Sequence, residues 1–362
     1  MKITFPWFGN GDSVGLEHVR HMRRMHGVTG ALHNIPAGDV WPMEDILLLK
    51  ESIESAGLSF DAVESLPVHE DIKLRKGDYG QLIENYKENI VRLSRAGVGC
   101  ICYNFTPAFN VTQPIIAREL AEGPKPEIED EPAIFAKTGE IDIQPSDTCV
   151  LSQDDERLID DYRALGDKGL WRNFELFINE IMPVASKNDV NMAIHPDEQP
   201  ALMPGIADMP GVAATKADID RLLAVNSDRH NGIVMCSGIF STPNGEVRPS
   251  FEDYARATAK YASMGRIHFA HVRDVKISED GSISENAHIS PHDSQDVERV
   301  LTSFFNAGYK GCFRYDHRRM TVAVDGAPNY GLYDRVVGAM YLTGIMIALE
   351  SRLKLASGGD FS

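Results

Sequence analysis

The sequence predicts an α/β fold, a (β/α)8 TIM barrel with an irregular insertion after the fourth strand. Short apolar runs alternate with amphipathic segments along most of the chain, which is typical of a parallel sheet with helical crossovers. Eight such units can be placed, the number that a closed barrel requires. The last four apolar runs also end in potential metal ligands, and the carboxyl ends of barrel strands share one rim, where active sites are built.

The first half of the chain accounts for four of these units. The predicted strands are 2–8, 28–33, 59–64 and 99–104, and the predicted helices between them are 16–25, 42–56 and 79–96. Pro42 at a helix start and Gly27, Gly57 and Gly97 after helix ends follow the usual asymmetry of helix termini. The stretch from Pro67 to Lys73 is predicted to be a polar loop.

The alternation is interrupted after the fourth strand. Six prolines occur from Pro107 to Pro145, together with an acidic patch at 127–131. This composition predicts an irregular insertion at about 106–155 within a single domain that spans 1–362. A cover over the active-site face and a plain surface loop are equally compatible with such a segment.

The second half supplies the remaining units. Helices are predicted at 156–165, 174–187, 216–225, 251–264, 297–307 and 331–353. The four strands between them end at His195, Cys236, His271 and Asp316. We therefore expect these four side chains to lie together on one rim of the barrel.

Imidazole, thiolate and carboxylate groups are the usual ligands of a divalent transition metal. A lone cysteine at a strand end is more often a small buried hydrophobe, but four ligand-type residues at four consecutive strand ends favour a metal site. This mixture of soft and hard donors allows manganese, iron or zinc. The other cysteines share no such placement and are predicted to be structural: Cys100, Cys102, Cys149 and Cys312.

Several cations and proton-transfer groups accompany these ligands. Four arginines are close to them in sequence: Arg273, Arg314, Arg318 and Arg319. They are either surface salt-bridge partners or anchors for a substrate carboxylate, and Arg273 is the best placed because it follows His271 by two residues on the same strand face. His317 and Tyr330 are candidate proton-transfer groups.

The overall composition excludes several classes of protein. A net charge of −17 disfavours a nucleic-acid partner, and no apolar run has the roughly 20 residues that span a bilayer. The amino terminus lacks the pattern of a signal peptide, so a cytoplasmic location is expected. Five cysteines without Cys-x-x-Cys spacing argue against a disulfide framework. A small-molecule substrate is the expected partner, and a homo-oligomer is compatible with the sequence.

Long stretches of the chain resemble the mannonate dehydratase family. The segments that carry this resemblance are Gly30–Pro42, Glu64–Lys73, Ile101–Phe105, Met192–Asp197, His268–Arg273 and Tyr330–Arg335. The resemblance covers nearly the whole chain. It implies a xylose-isomerase-like barrel that converts D-mannonate into 2-keto-3-deoxy-D-gluconate and water in hexuronate catabolism, with manganese or ferrous iron as the cofactor.

The resemblance also implies roles for individual residues. The family's metal ligands correspond to His195, Cys236, His271 and Asp316, and its acid and base correspond to His317 and Tyr330. Which of the latter two is the base stays open. His33, Asn104 and Lys73 follow strand ends and are candidates for holding the sugar acid, although ordinary capping or loop hydrogen bonds explain them equally well.

The chain departs from the family pattern at loops near the expected site. After Tyr103–Phe105 the family has an Asp-Trp-Thr-Arg-Thr-Asp run, whereas Asn110–Pro114 here contains no arginine. The family's Asp-His-Gly-Arg is Asp316-His-Arg-Arg319, and the segment Ser237–Glu246 is also altered. The alternatives are therefore a dehydratase of another sugar acid, a sugar isomerase or epimerase on the same barrel, and a catalytically silent protein that binds sugar acids.

Overall fold

A closed barrel of eight parallel strands forms the centre of the protein. The computed structural model describes residues 1–12, 14–108, 152–197, 209–212, 215–241, 250–273, 275–277, 283–285, 297–316 and 332–356. Around the barrel the strands follow the order β1, β2, β3, β4, β5, β6, β7 and β10. Their bounds are β1 Lys2–Pro6, β2 Met25–Gly30, β3 Ser59–Glu64, β4 Cys100–Tyr103, β5 Asn191–Ile194, β6 Asn231–Cys236, β7 Ile267–Val272 and β10 Cys312–Tyr315.

Helices connect the strands, as the alternating pattern predicts. They are α1 Leu16–His21, α2 Met43–Ser55, α3 Glu70–Leu74, α4 Tyr79–Arg95, α5 Gln153–Lys187, α6 Lys216–Val225, α7 Ser237–Ser241, α8 Phe251–Ser263, α9 Val297–Asn306 and α10 Leu332–Ala356. A small antiparallel ribbon of β8 (Val275–Ile277) and β9 (Ile283–Glu285) follows β7. The sequence did not predict this ribbon or the short helix α3, which overlaps the predicted polar loop.

The second strand differs from its predicted position. It begins at Met25 and ends at Gly30, whereas the apolar pattern predicted 28–33 and a helix reaching residue 25. The helix ends at His21 instead, and Arg24 turns the chain with a left-handed φ of 64°. Gly27 lies in the strand because the backbones of β2 and β3 come close there: a Cβ atom on it would lie 2.1 Å from the carbonyl oxygen of Ser59.

The second of the two helices before β5 begins earlier than predicted. Two helices were expected, at 156–165 and 174–187, and Gly166, whose φ of 62° is not helical, separates two helices within α5 directly after the predicted end of the first. The following residues Leu170 and Trp171 are buried and helical, so the second helix starts before residue 174. Most of the predicted insertion at 106–155 lies outside the described residues.

An ion pair joins the two ends of the chain. Asp12, after β1, receives two hydrogen bonds from the Arg335 guanidinium in α10, at 2.6 and 2.8 Å. Arg335 also donates to the carbonyl oxygen of Pro6 at 3.0 Å. Both side chains are almost completely buried. The first strand and the last helix are therefore held together where the barrel closes.

A second set of buried apolar side chains on the barrel strands is separate from the main hydrophobic core. It contains Ala62, Cys100, Cys102, Ala193, Val234, Phe269 and Cys312. Three of the four cysteines that were predicted to be structural belong to it, and Cys149 lies outside the described residues. In the described part of the chain, no helix is both long enough and apolar enough to cross a membrane.

Candidate metal centre

Four side chains at the carboxyl rim converge on one point. The ligand atoms of His195, Cys236, His271 and Asp316 all lie within 4.8 Å of one another. Nε2 of His195 is 3.0 Å from Nδ1 of His271, and that atom is 3.5 Å from Oδ2 of Asp316. The Cys236 sulfur is 3.8 Å from the same carboxylate oxygen. Two imidazoles, a thiol and a carboxylate at this spacing fit a divalent transition metal.

The strand register brings these ligands together. Cys236 in β6 pairs with His271 in β7, and β10, which pairs with the other edge of β7, ends directly before Asp316. The backbone N–H of Asp316 donates to the carbonyl oxygen of Val272 at 3.1 Å, and that of His195 donates to Tyr103 at 2.8 Å. Both residues thus extend the ladder of the barrel by one hydrogen bond, which places their side chains on the rim.

Burial and neighbouring charges shift the pKa values of His195 and His271 in opposite directions. Burial lowers the pKa of His195 to about 3, and the neighbouring His271 adds to this shift. Burial and Arg314 also lower the pKa of His271, but the carboxylates of Asp316 and Glu64 outweigh them and raise it to about 10. The two pKa values are therefore shifted in opposite directions, because only His271 lies beside the two carboxylates.

Glu64 at the end of β3 is a member of the site that sequence reasoning missed. Its Oε1 lies 2.7 Å from Nε2 of His271, and both of its oxygens accept hydrogen bonds from Arg314, at 2.6 and 2.7 Å. Burial would raise the pKa of Glu64, but Arg314 and His271 hold it well below its usual range. Its position at a strand end within the segment Glu64–Lys73 was the available signal.

The arginines that were considered as substrate anchors have different surroundings. Arg314 is buried and binds Glu64 and Asp316. Arg273 is also buried; its stem lies against Gly238, where a Cβ atom would come within 2.6 Å of its Cδ. The charge of Arg273 contributes to the lowered pKa of His195, which places it near the ligand cluster. Arg318 and Arg319 lie outside the described residues.

The three residues that were predicted to contact the sugar acid, Lys73, Asn104 and His33, differ in their burial and in their contacts within the protein. The Lys73 ammonium is buried and donates to Glu70 at 2.8 Å and to the carbonyl oxygen of Thr106 at 2.7 Å. Asn104 is half-buried after β4, and His33 is exposed with its ring 5.6 Å from that of Phe8. The contacts of Lys73 match the alternative of ordinary loop hydrogen bonding, while roles for Asn104 and His33 stay predictions.

The two predicted proton-transfer residues, His317 and Tyr330, lie outside the described residues. Asp316, which directly precedes His317 in the sequence, is buried in the ligand cluster. The loop Ser237–Glu246 is described only through residue 241. In that part, Ser237 accepts a hydrogen bond from the backbone N–H of Arg273 at 2.8 Å and donates to its carbonyl oxygen at 2.6 Å.

The fold and the four converging side chains define a (β/α)8 barrel with a candidate metal centre at its carboxyl rim. Comparison with known proteins identifies the family. The family model for D-mannonate dehydratase (UxuA) matches residues 1–356, and the chain belongs to this family of hydro-lyases.

Individual relatives match over almost their full length. Mannonate dehydratase 2 of Halalkalibacterium halodurans is 36% identical, covering 97% of this chain and 100% of the relative. Mannonate dehydratase of Thermotoga neapolitana is 38% identical, with 97% and 98% covered. Among solved structures, mannonate dehydratase from Streptococcus suis serotype 2 superposes with a TM-score of 0.81 at 33% identity, covering 100% of this chain and 97% of that one.

More distant structures share the fold alone. The 3-keto-D-glucoside 4-epimerase from E. coli has a TM-score of 0.53 at 13% identity, with 96% of this chain and 99% of that chain covered. Such a likeness supports the (β/α)8 architecture. It carries no information about the reaction, because one fold hosts many unrelated chemistries.

Proposed function

We propose that this protein removes water from D-mannonate to give 2-keto-3-deoxy-D-gluconate, with manganese or ferrous iron bound by His195, Cys236, His271 and Asp316. The observation that carries the proposal is the convergence of these four donor atoms within 4.8 Å at the carboxyl rim. Membership of the D-mannonate dehydratase family over residues 1–356 gives the substrate and the reaction.

The reaction requires proton transfer at two carbon atoms and two oxygen atoms. A base removes the proton from C2, and an acid protonates the C3 hydroxyl, which leaves as water. The resulting enol takes up a proton at C3, loses the proton of its C2 hydroxyl and becomes the 2-keto acid. His317 and Tyr330 supply the acid and the base, and imidazole and phenol groups both serve such roles in enzymes.

A metal ion held by His195, Cys236, His271 and Asp316 would supply Lewis acidity that stabilises negative charge developing on the substrate. The chain's own residues determine how the substrate lies. Arg273 is buried beside the ligand cluster, and its guanidinium binds the substrate carboxylate in a two-pronged arrangement. Asn104 at the end of β4 and His33 after β2 bind hydroxyl groups.

The test is turnover of D-mannonate by protein that has been stripped of metal and then resupplied with manganese or ferrous iron. Direct detection of 2-keto-3-deoxygluconate that depends on added metal is the expected result. A variant with Cys236→Ser, assayed in the same way, is the matched control, because it removes one ligand and changes a single atom. Equal turnover in the presence and absence of metal would contradict the proposal.

Among the alternatives, a dehydratase that acts on a different sugar acid has the most support from the sequence. Asn110–Pro114 lacks the arginine that the family pattern carries, and Arg318 stands where that pattern has glycine. If metal binds tightly but D-mannonate is not turned over, a panel of other aldonates decides between a shifted specificity and a silent binding protein. A ketose or epimer as the product would instead indicate an isomerase or epimerase. A cytoplasmic location and a homo-oligomer stay predictions from the sequence.

A further inference from the structure

A buried ion pair crosses the interior of the barrel next to the candidate metal centre. Arg314 in β10 and Glu64 in β3 are separated by two strands in the barrel order. Nε and Nη2 of the arginine donate to the two carboxylate oxygens at 2.6 and 2.7 Å, so the pair is bidentate. Thr29 in β2 donates to the same carboxylate at 3.2 Å. Both charged side chains are largely excluded from solvent.

Each member of the pair also contacts one of the proposed metal ligands. Oε1 of Glu64 lies 2.7 Å from Nε2 of His271, and Nη1 of Arg314 donates to Oδ1 of Asp316 at 3.0 Å. These contacts use the atoms that face away from the cluster. The atoms that face it are Nδ1 of His271 and Oδ2 of Asp316, which lie 3.5 Å apart.

We infer that Glu64 and Arg314, here called the Glu64–Arg314 clamp, are positioning residues that fix the orientations of two metal ligands at once. The inference rests on the proposed metal site. A carboxylate at the outer nitrogen of a histidine sets the rotation of its ring and selects the nitrogen that is free to bind a metal. An arginine on Oδ1 of Asp316 leaves Oδ2 as the oxygen that would bind a metal ion.

The geometry explains why an arginine and a glutamate occupy these positions. Arg314 makes three sets of contacts, to Glu64, to Asp316 and to the carbonyl oxygen of Tyr315 at 2.7 Å, and a planar fork with five N–H donors is suited to this. A buried ion pair by itself is weak evidence for a role in stability, because an apolar pair of similar volume often stabilises as well. A role in orienting the metal ligands explains why Glu64 contacts His271 and Arg314 contacts Asp316.

The experiment compares two conservative variants with a matched control. Glu64→Gln keeps the size of the side chain and removes its charge. Arg314→Lys keeps the charge and removes the fork, so it cannot reach Glu64 and Asp316 together. Asp61→Asn is the control: it makes the same acid-to-amide change on the same strand, but Asp61 pairs with Lys2 and His26, away from the metal ligands.

The measurements are the Kd for Mn²⁺ by titration calorimetry and the visible absorption spectrum of the Co²⁺-loaded protein, which reports ligand geometry without any turnover. We expect the Kd to rise by roughly 10–100-fold in both clamp variants, with a shifted Co²⁺ spectrum and an unchanged near-ultraviolet circular dichroism spectrum. Asp61→Asn should bind Mn²⁺ as the wild type does. If Glu64→Gln does not fold, Arg314→Lys decides, since it retains both charges.

An unchanged Kd in the clamp variants, together with a lower melting temperature, would show that the pair is merely structural and overturn the inference. So would an effect confined to one clamp variant, or an equal loss of affinity in Asp61→Asn. Failure of the metal site itself is distinguishable. In that case wild-type protein and Cys236→Ser would bind Mn²⁺ equally, whereas failure of the clamp alone leaves those two different.

Discussion

Cys236 shows how the role of one residue depends on its neighbours. Its side chain is completely buried, as that of a structural cysteine would be. Its sulfur nevertheless lies 3.8 Å from a carboxylate oxygen of Asp316, a residue 80 positions away in the sequence. A buried thiol beside a carboxylate and two imidazoles has little reason to be retained for packing, whereas a metal ion would satisfy all four groups.

Changes to single ligands should therefore remove metal without unfolding the barrel. We expect Cys236→Ser and His271→Ala each to lose metal affinity by more than the roughly 10–100-fold that changes around a ligand produce, and to lose activity with it. Metal content measured by mass spectrometry on folded protein checks this. Retention of full metal stoichiometry in both variants would rule out the proposed ligand set.

At the scale of elements, the contact between Asp12, which follows β1, and Arg335 in helix α10 ties the first strand to the last helix. The pKa of Asp12 shows the strength of this contact. Burial would raise that pKa, but hydrogen bonds from Arg335 and from the backbone N–H groups of Val14 and Phe8 outweigh burial and lower it. The folded protein therefore binds a proton at Asp12 more weakly than the unfolded chain does, and the contact stabilises the fold when the carboxylate is ionised.

Removal of this carboxylate should destabilise the protein. Asp12→Asn breaks a buried ion pair, and we expect the free energy of unfolding at neutral pH to fall by roughly 3–5 kcal/mol. In the wild type the contribution of Asp12 is complete above its unfolded pKa near 3.8 and is lost as the pH falls through the lower folded value. The free energy of unfolding, measured with urea at a series of acidic pH values, should therefore change less steeply with pH in the variant than in the wild type.

An exposed carboxylate provides the comparison. Asp160 pairs with Arg163 on α5 with most of its side chain in solvent, so Asp160→Asn should change the free energy of unfolding by no more than about 1 kcal/mol. Equal losses in the two variants would mean that the contact between the ends of the chain has no special part in stability.

At the scale of the whole molecule, the proposed metal site links four strands of the barrel. The ligands lie on or directly after β5, β6, β7 and β10, and they span residues 195 to 316. A metal ion that binds the folded barrel and not the unfolded chain stabilises the fold by mass action, by about 2.7 kcal/mol at a free concentration of 100 times Kd.

Thermal unfolding with and without manganese tests this link. Wild-type protein should melt at a higher temperature when manganese is present, and a chelator should reverse the shift. The melting temperature of Cys236→Ser should rise much less when manganese is added. An equal rise in both proteins would mean that the stabilising ion binds at another site.

The sequence by itself predicted the barrel and the clustering of the four potential ligands, because both depend on local pattern. Apolar runs of strand length that alternate with helices predict parallel strands, and a histidine, cysteine or aspartate at the end of such a run lies on the rim by necessity. The same local reasoning was wrong for β2: Gly27 resembles a helix stop in the sequence, but it lies inside the strand, where the backbone of Ser59 leaves no room for a Cβ atom. It ended the first helix of α5 correctly before Gly166, but it began the second helix too late, because the buried residues Leu170 and Trp171 already belong to it.

Only the tertiary structure decided the contacts between distant strands. Glu64 and Arg314 are 250 positions apart, and no periodicity in the sequence connects them. Their pairing follows from closure of the barrel, which brings β3 and β10 to face each other across the interior. The same closure brings Asp12 to Arg335. Sequence pattern fixes the face and the end of a strand on which a side chain lies, whereas its partner depends on how all eight strands meet.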